Sequence, residues 1–158
     1  MPTASISGLS GVAYNPNNNT VFGINNNNDA THGLFEFTVD GMFIRKISLG
    51  APTTDFGDPE DITWMYDDVY AIILENVVGS AAGAQIVITH INTSTTAIAH
   101  TNVTSTIIDI SGTMPLNNSA GEGIAYDPDR DLFYVVKEKS AAGGDLPATI
   151  YTIDRSGT

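Results

Sequence analysis

The sequence contains no cysteine, only six lysines and arginines, and no long hydrophobic run. Without cysteine, the 158 residues can form no disulfide and offer no thiolate to a substrate or a metal. The 18 aspartates and glutamates give a net charge of −12, which argues against nucleic-acid binding because a phosphate backbone would be repelled. Apolar stretches such as residues 69–74 and 85–91 are much shorter than the roughly 20 residues of a membrane-spanning helix, so we expect no membrane span.

Helix signals are also scarce. No window of about 11 residues carries apolar residues at positions i, i+3, i+4 and i+7. Instead, β-branched and aromatic residues alternate with clusters of Asn, Asp and Gly, and Asp40-Gly41 has the composition of a tight hairpin turn. The sequence therefore predicts an all-β protein.

One motif occurs three times, as SGVAYNP at residues 10–16, EDITW at 60–64 and EGIAYDP at 122–128. A polar turn and an apolar strand follow each copy. A repeat of this length is typical of β-propellers, in which each blade is a four-stranded antiparallel sheet. The repeat therefore predicts three blades.

We predict a single domain over residues 1–158, with the third blade lacking its outer strand. The predicted blades cover about 8–50, about 58–110 and about 120–158. The predicted strands are 11–14, 20–24, 34–39 and 43–49 in blade 1, 61–65, 69–74, 85–92 and 95–101 in blade 2, and 123–126, 132–137 and 149–153 in blade 3. The tract 102–119 is interpreted as an insertion of blade 2.

Three blades cannot close a ring, and an open propeller leaves strand edges that would pair with other chains. Either further blades belong to a longer chain, or two copies associate head to tail into a six-bladed homodimer. Residues 2–7 precede the first inner strand and could supply the missing outer strand of blade 3. We favour self-association.

The three copies of the motif resemble segments that open the blades of the SdiA-regulated family of bacterial β-propellers. The matching segments are residues 9–16, 58–62 and 121–126, the last followed by LFYVVKEK at 132–139. Asp61 stands where the family usually has Gly. The resemblance spans almost the whole chain, although family members are longer and carry additional blades.

The resemblance implies an extracellular or periplasmic protein, secreted or lipid-anchored, without an assigned activity and without catalytic residues to transfer. Residues 1–7 carry neither the basic nor the hydrophobic part of a signal peptide. Related propellers often hold calcium in or near the central channel, so the resemblance also implies a place to look for a metal.

The first strand of each propeller blade lines the central channel, so residues at the start of these strands converge on the axis. Ser10, Glu60 and Glu122 hold this position in the three copies of the motif. Carboxylate and hydroxyl oxygens are ligands that calcium accepts, and the acidic chain favours cations in general. The alternative is that these side chains cap strand ends or accept backbone N–H bonds within a blade.

The second strand of each blade runs antiparallel to the first, so its end lies beside the start of the first strand. This places Asn26, Glu75 and Glu138 around the same channel mouth. A solvated turn is the alternative for Asn26, which belongs to a run of four asparagines. The predicted calcium ligands are therefore these three residues together with the three at the starts of the first strands.

The leading hypothesis is a β-propeller that serves as a binding or scaffold module, with calcium at an acidic channel mouth and no assigned ligand. No nucleophile elbow, Walker loop, dinucleotide fingerprint or EF-hand loop occurs, which favours a non-enzymatic role. One alternative is a calcium-dependent hydrolase resembling lactonase-type propellers, in which the metal would polarise the reacting oxygen. The other is a purely structural piece of a larger surface or particle protein.

Overall fold

The computed structural model describes residue 6 and residues 8–26, 32–50, 56–75, 83–98, 106–114, 121–137 and 149–158. Every secondary-structure element assigned within these ranges is a β-strand. The eleven strands are β1 Leu9–Asn15, β2 Thr20–Asn25, β3 Gly33–Thr38, β4 Phe43–Ile47, β5 Pro59–Tyr66, β6 Val69–Leu74, β7 Gln85–His90, β8 Thr106–Asp109, β9 Gly121–Asp127, β10 Leu132–Lys137 and β11 Thr149–Ile153. In this described part of the chain, no helix is long and apolar enough to cross a membrane.

The strands form three antiparallel sheets in the order β1-β2-β3-β4, β5-β6-β7-β8 and β9-β10-β11. The first strands are neighbours, since β5 contacts both β1 and β9. The prediction of an all-β chain with three antiparallel sheets is confirmed, and the arrangement is consistent with propeller blades in an open array. The division into a single domain stays a prediction.

A repeated aromatic contact closes the turn between the first two strands of each sheet. The Tyr14 hydroxyl donates to Asn19 Oδ1 at 2.9 Å, and the Tyr126 hydroxyl donates to Asp131 Oδ1 at 2.6 Å. Asn19 and Asp131 both have φ near +53°, a conformation that Asn and Asp adopt more readily than most residues. This shared turn geometry explains why the AYNP and AYDP segments recur in the sequence.

Two apolar clusters fill the spaces between the sheets. Side chains alternate along β6, so Val69, Ala71 and Ile73 pack towards the third sheet. Tyr70, Ile72 and Leu74 pack towards the first sheet. The second sheet is covered on both faces, which is why β6 is a continuous apolar run and all six of its side chains are buried.

The predicted fourth strand of blade 2, residues 95–101, is wrong in the part that the structure describes. The outer strand is β8, which pairs with β7 from Gln85↔Asp109 to Ile88↔Thr106. It lies inside the tract 102–119 that the sequence analysis interpreted as an insertion.

Residues 95–98 leave the second sheet and join the outer edge of the first. Ser48 and Ala97 form a parallel bridge, with Ser48 N–H donating to Thr96 O at 3.0 Å and Ile98 N–H donating to Ser48 O at 2.8 Å. The Arg45 guanidinium donates to the carbonyl oxygens of the preceding turn. Residues 92–95 form a turn, with Thr95 N–H donating to Asn92 O at 3.1 Å, and the chain leaves it towards β4 and not back along β7.

The proposed closing strand at residues 2–7 lies outside the described residues apart from Ile6, which is not in a strand. The third sheet has three strands within the described ranges.

Candidate functional site

The start of each inner strand carries a β-bulge at the position that the sequence repeat identifies. Pairing passes from Leu9↔Asn25 to Gly11↔Ile24, which leaves Ser10 as the extra residue. The same shift leaves out Glu60 in β5 and Glu122 in β9. A bulge redirects the side chain of its extra residue, so the three positions are structurally as well as sequentially equivalent.

Three carboxylates meet beside the bulge of the second sheet. Asp58, Glu60 and Glu75 each offer an oxygen, and these oxygens all lie within 4.8 Å of one another. Glu60 and Glu75 are buried and Asp58 is half-buried. The backbone holds the group together, because Glu75 N–H donates to Asp58 O at 2.9 Å where β6 ends beside the start of β5.

Asn26 joins this group from the first sheet. Its side-chain amide nitrogen lies 3.2 Å from both carboxylate oxygens of Glu60. Asn26 directly follows β2, and the contact therefore spans the boundary between the first two sheets. An oxygen-rich group with one amide is a donor set that suits a hard cation.

The electrostatics of Glu60 reflect this crowding. The pKa of Glu60 is raised from 4.5 to about 7, chiefly by burial; the amide of Asn26 lowers it, and the neighbouring Asp58 and Glu75 carboxylates contribute to the rise. The group therefore holds a proton near neutral pH that a bound cation would displace.

The structure brings Asn26, Glu60 and Glu75 together as the antiparallel pairing predicted. Ser10 is exposed and lines a groove on the open face of the first sheet, away from the carboxylates. Glu122 is half-buried and does not belong to the three-carboxylate group. Glu138 lies outside the described residues.

The sequence analysis did not select Asp58. It precedes the strand repeat, and its backbone accepts the N–H of Glu75 at 2.9 Å, which fixes it beside the end of β6. The available signal was the DPE sequence at residues 58–60, which sets two carboxylates on either side of a proline at the start of a strand.

Comparison with known proteins identifies the family of the chain. The sequence pattern of the SdiA-regulated family matches residues 2–156. This chain belongs to the SdiA-regulated family. The resemblance recognised in the three sequence motifs is thereby confirmed. A comparison with curated proteins found no match.

A solved structure of a luciferin-regenerating enzyme is similar to this SdiA-regulated family member, with a TM-score of 0.58 and 13% sequence identity. The similarity covers 94% of this chain and 45% of the enzyme chain. At this identity the similarity concerns the fold alone, and it indicates a propeller-type fold. The chain spans less than half the length of the enzyme to which it is similar.

Asp61 stands where the other two copies of the motif have Gly11 and Gly123, and the structure gives the aspartate a definite place. Asp61 Oδ1 accepts the N–H of Ile62 at 2.8 Å, and Oδ2 accepts the N–H of Ile124 at 2.9 Å. The backbone N–H of Val12 also acts on this carboxylate and lowers its pKa. Burial raises the pKa of Asp61, and the three N–H donors oppose that shift by stabilising the ionised form.

Proposed function

We propose that this chain is part of a propeller-type binding module that holds a divalent cation, preferably calcium, at one mouth of its channel. The ligands are Asp58, Glu60 and Glu75, with Asn26 completing the set from the neighbouring sheet. The convergence of three carboxylate oxygens within 4.8 Å carries this proposal. Carboxylates packed this closely repel one another when ionised, and a divalent cation offsets that repulsion.

Calcium takes six to eight oxygen ligands at about 2.3–2.6 Å, some of them from water. Asn26 can contribute because its amide group can rotate to present Oδ1 in place of Nδ2, and the two atoms are nearly isosteric. Glu60 must lose the proton that its raised pKa retains, so calcium binding releases protons near neutral pH.

Thermal melting of the protein with calcium or with EDTA tests the site. We expect calcium to raise Tm, because a ligand that binds only the folded state stabilises it. Glu60→Gln combined with Glu75→Gln should abolish the shift, whereas Asp129→Asn, which changes an exposed turn carboxylate, should retain it. An equal calcium response in both variants, or none in the wild type, contradicts the proposal.

We further propose that the open ends of the array are covered by other blades. Val21, the second residue of β2, lines an exposed apolar groove of about 390 Å³ on the first sheet. The second residues of β6 and β10, Tyr70 and Phe133, are fully buried against a preceding sheet. At the other end, Val136 and Ile150 pair across β10 and β11 and are 37% and 65% exposed.

A ring of six blades would cover both ends, either through a second copy placed head to tail or through further blades of a longer chain. The pattern of covered and uncovered sheet faces supports a partner that itself consists of blades. Calcium near the channel mouth would then serve a binding or scaffold role at the centre of a closed ring.

A calcium-dependent hydrolase is a second candidate, and the position of Glu60 favours it. Calcium binding would leave the Glu60 carboxylate ionised, and an ionised carboxylate beside the cation can accept a proton from water. Turnover of simple lactones and esters, lost in Glu60→Gln and kept in Asp129→Asn, would support this activity. Calcium stabilisation without turnover favours the binding role. The absence of both calcium stabilisation and turnover favours a purely structural piece.

A further inference from the structure

Backbone N–H groups from all three sheets converge on one point between the inner strands. They belong to Val12 in β1, Ile62 in β5 and Ile124 in β9. The Asp61 carboxylate accepts the N–H of Ile62 at 2.8 Å and the N–H of Ile124 at 2.9 Å, and the N–H of Val12 also lowers its pKa. One anionic group thus satisfies donors of three different sheets.

The geometry of blades explains why these donors point inwards. Each inner strand is the edge of its sheet, so one side of its backbone has no ladder partner among the residues that the structure describes. Where three such edges meet, their free N–H groups face a common space. Buried N–H groups need an acceptor, and a carboxylate is a stronger acceptor than a neutral group.

Gly11 makes room for the anion. A Cβ atom at Gly11 would lie 2.1 Å from Asp61 Oδ1, whereas one at Gly123, on the other side of the carboxylate, would lie at an ordinary contact distance of 3.7 Å from Asp61 Oδ2. The repeat thus places a glycine beside the carboxylate in the first and third copies and the carboxylate itself in the second. A glycine at all three positions would leave the converging donors without this side chain.

We propose that the meeting point of the three inner strands is a binding site for a small carboxylate, which Asp61 fills from within the chain. Removing the Asp61 carboxylate opens the site to an external anion of the same kind, such as formate. The site differs from the cation group at Glu60 because N–H donors line it and would bind an anion, whereas carboxylate oxygens line the group at Glu60 and would bind a cation. Asp61 therefore acts as a positioning residue that holds three sheets through their backbones.

Formate rescue of Asp61→Ala tests this site. We expect the variant to melt below the wild type in EDTA-containing buffer. Its Tm should rise as sodium formate is added and should level off once formate fills the site. Formamide has the same shape without the charge and should not restore stability. The wild type and Asp129→Ala, which removes an exposed aspartate, should respond to formate only by the general effect of salt. Equal responses of all three proteins to formate would overturn the proposal.

A variant that keeps the shape of the side chain provides a second test if Asp61→Ala does not fold. Asp61→Asn retains the volume but loses the charge and one acceptor oxygen. We expect the amide protons of Val12 and Ile124 to exchange with solvent faster in this variant than in the wild type. Unchanged exchange and unchanged amide chemical shifts at both residues would overturn the proposal, and Asp129→Asn supplies the matched control.

Discussion

The Asn26 side-chain amide lies 3.2 Å from each carboxylate oxygen of Glu60, across the boundary between the first two sheets. The amide donates to a carboxyl group that burial and two other carboxylates push towards the protonated form. A donor to the ionised form favours ionisation, so Asn26 limits how far the pKa of Glu60 rises. This contact makes the titration of Glu60 sensitive to a residue of another sheet.

Asn26→Leu is expected to raise the pKa of Glu60 above its value of about 7, because the donor is lost and the carboxyl group stays buried. The measurement is an NMR titration of the glutamate side-chain carboxyl carbons in the presence of chelator. Asn18→Leu, in an exposed turn, should leave the titration unchanged. An unaltered midpoint for Glu60 in Asn26→Leu would show that the amide does not act on it.

Stability without metal is expected to fall as pH rises from about 4.5 to about 7. Glu60 has its raised pKa only in the folded state, so over this range the folded state binds more protons than the unfolded state. The difference between 4.5 and about 7 corresponds to about 3 kcal/mol at most. Urea unfolding in chelator at a series of pH values measures this contribution, and Glu60→Gln should flatten the dependence. The same slope in Glu60→Gln would assign it to another group.

Gly11→Ala is expected to destabilise the fold by about 3 kcal/mol or more, because overpacking against fixed atoms is costly. The new Cβ would lie 2.1 Å from Asp61 Oδ1 and 2.5 Å from Asp61 Cα, and the second atom belongs to the backbone. Gly112→Ala is the matched control, since no atom lies within 4 Å of a Cβ at that position. Comparable urea midpoints for the two variants would rule out the close approach of β1 and β5.

Arg45→Leu is expected to cost about 3 kcal/mol, because it leaves the buried carboxylate of Glu36 without its ion pair. It also removes the donors to the carbonyl oxygens of residues 92, 93 and 95. Hydrogen exchange should therefore accelerate at the amides of Ser48 and Ile98. Arg130→Leu breaks an exposed pair with Asp127 and should leave the free energy of unfolding almost unchanged, because solvent screens such a pair. Similar losses in both variants would place Arg45 among the ordinary surface charges.

Ile150→Arg is expected to prevent association if a second copy covers the third sheet, because it places a charge in an apolar contact. Light scattering on the wild type should then give twice the monomer mass, and the variant should give the monomer mass. Thr152→Arg, two residues along the same strand, shows how far the contact extends. A monomeric wild type would mean that further blades, and not a second copy, complete the ring.

Strand boundaries were predictable from the sequence where local signals were sharp. The strand at residues 69–74 has its observed limits because a polar turn precedes a continuous apolar run, and those at 132–137 and 149–153 also match. The outer strand β8 was missed because the turn at residues 92–95 has hairpin composition, whereas the destination of the chain after that turn depends on Arg45 in another sheet. Local signals report a turn but not its partner.

The candidate site was predictable only where strand pairing alone determines which residues lie together. Antiparallel pairing fixes which strand ends lie side by side, and it brought Asn26, Glu60 and Glu75 to one place. Asp58 depends on a backbone bond between two strand ends, which no spacing rule conveys. The sequence analysis noted Asp61 only as an atypical residue, because its role depends on the convergence of three separate strands.

The bridge between Ser48 and Ala97 determines when the first sheet can be completed during synthesis. The outer edge of the first sheet is covered by residues that the ribosome adds about 50 positions later. Until they emerge, the first four strands present an unpaired edge to the surrounding solution, which is where neighbouring nascent chains could pair. The first sheet is therefore completed during synthesis only after most of the second has left the ribosome.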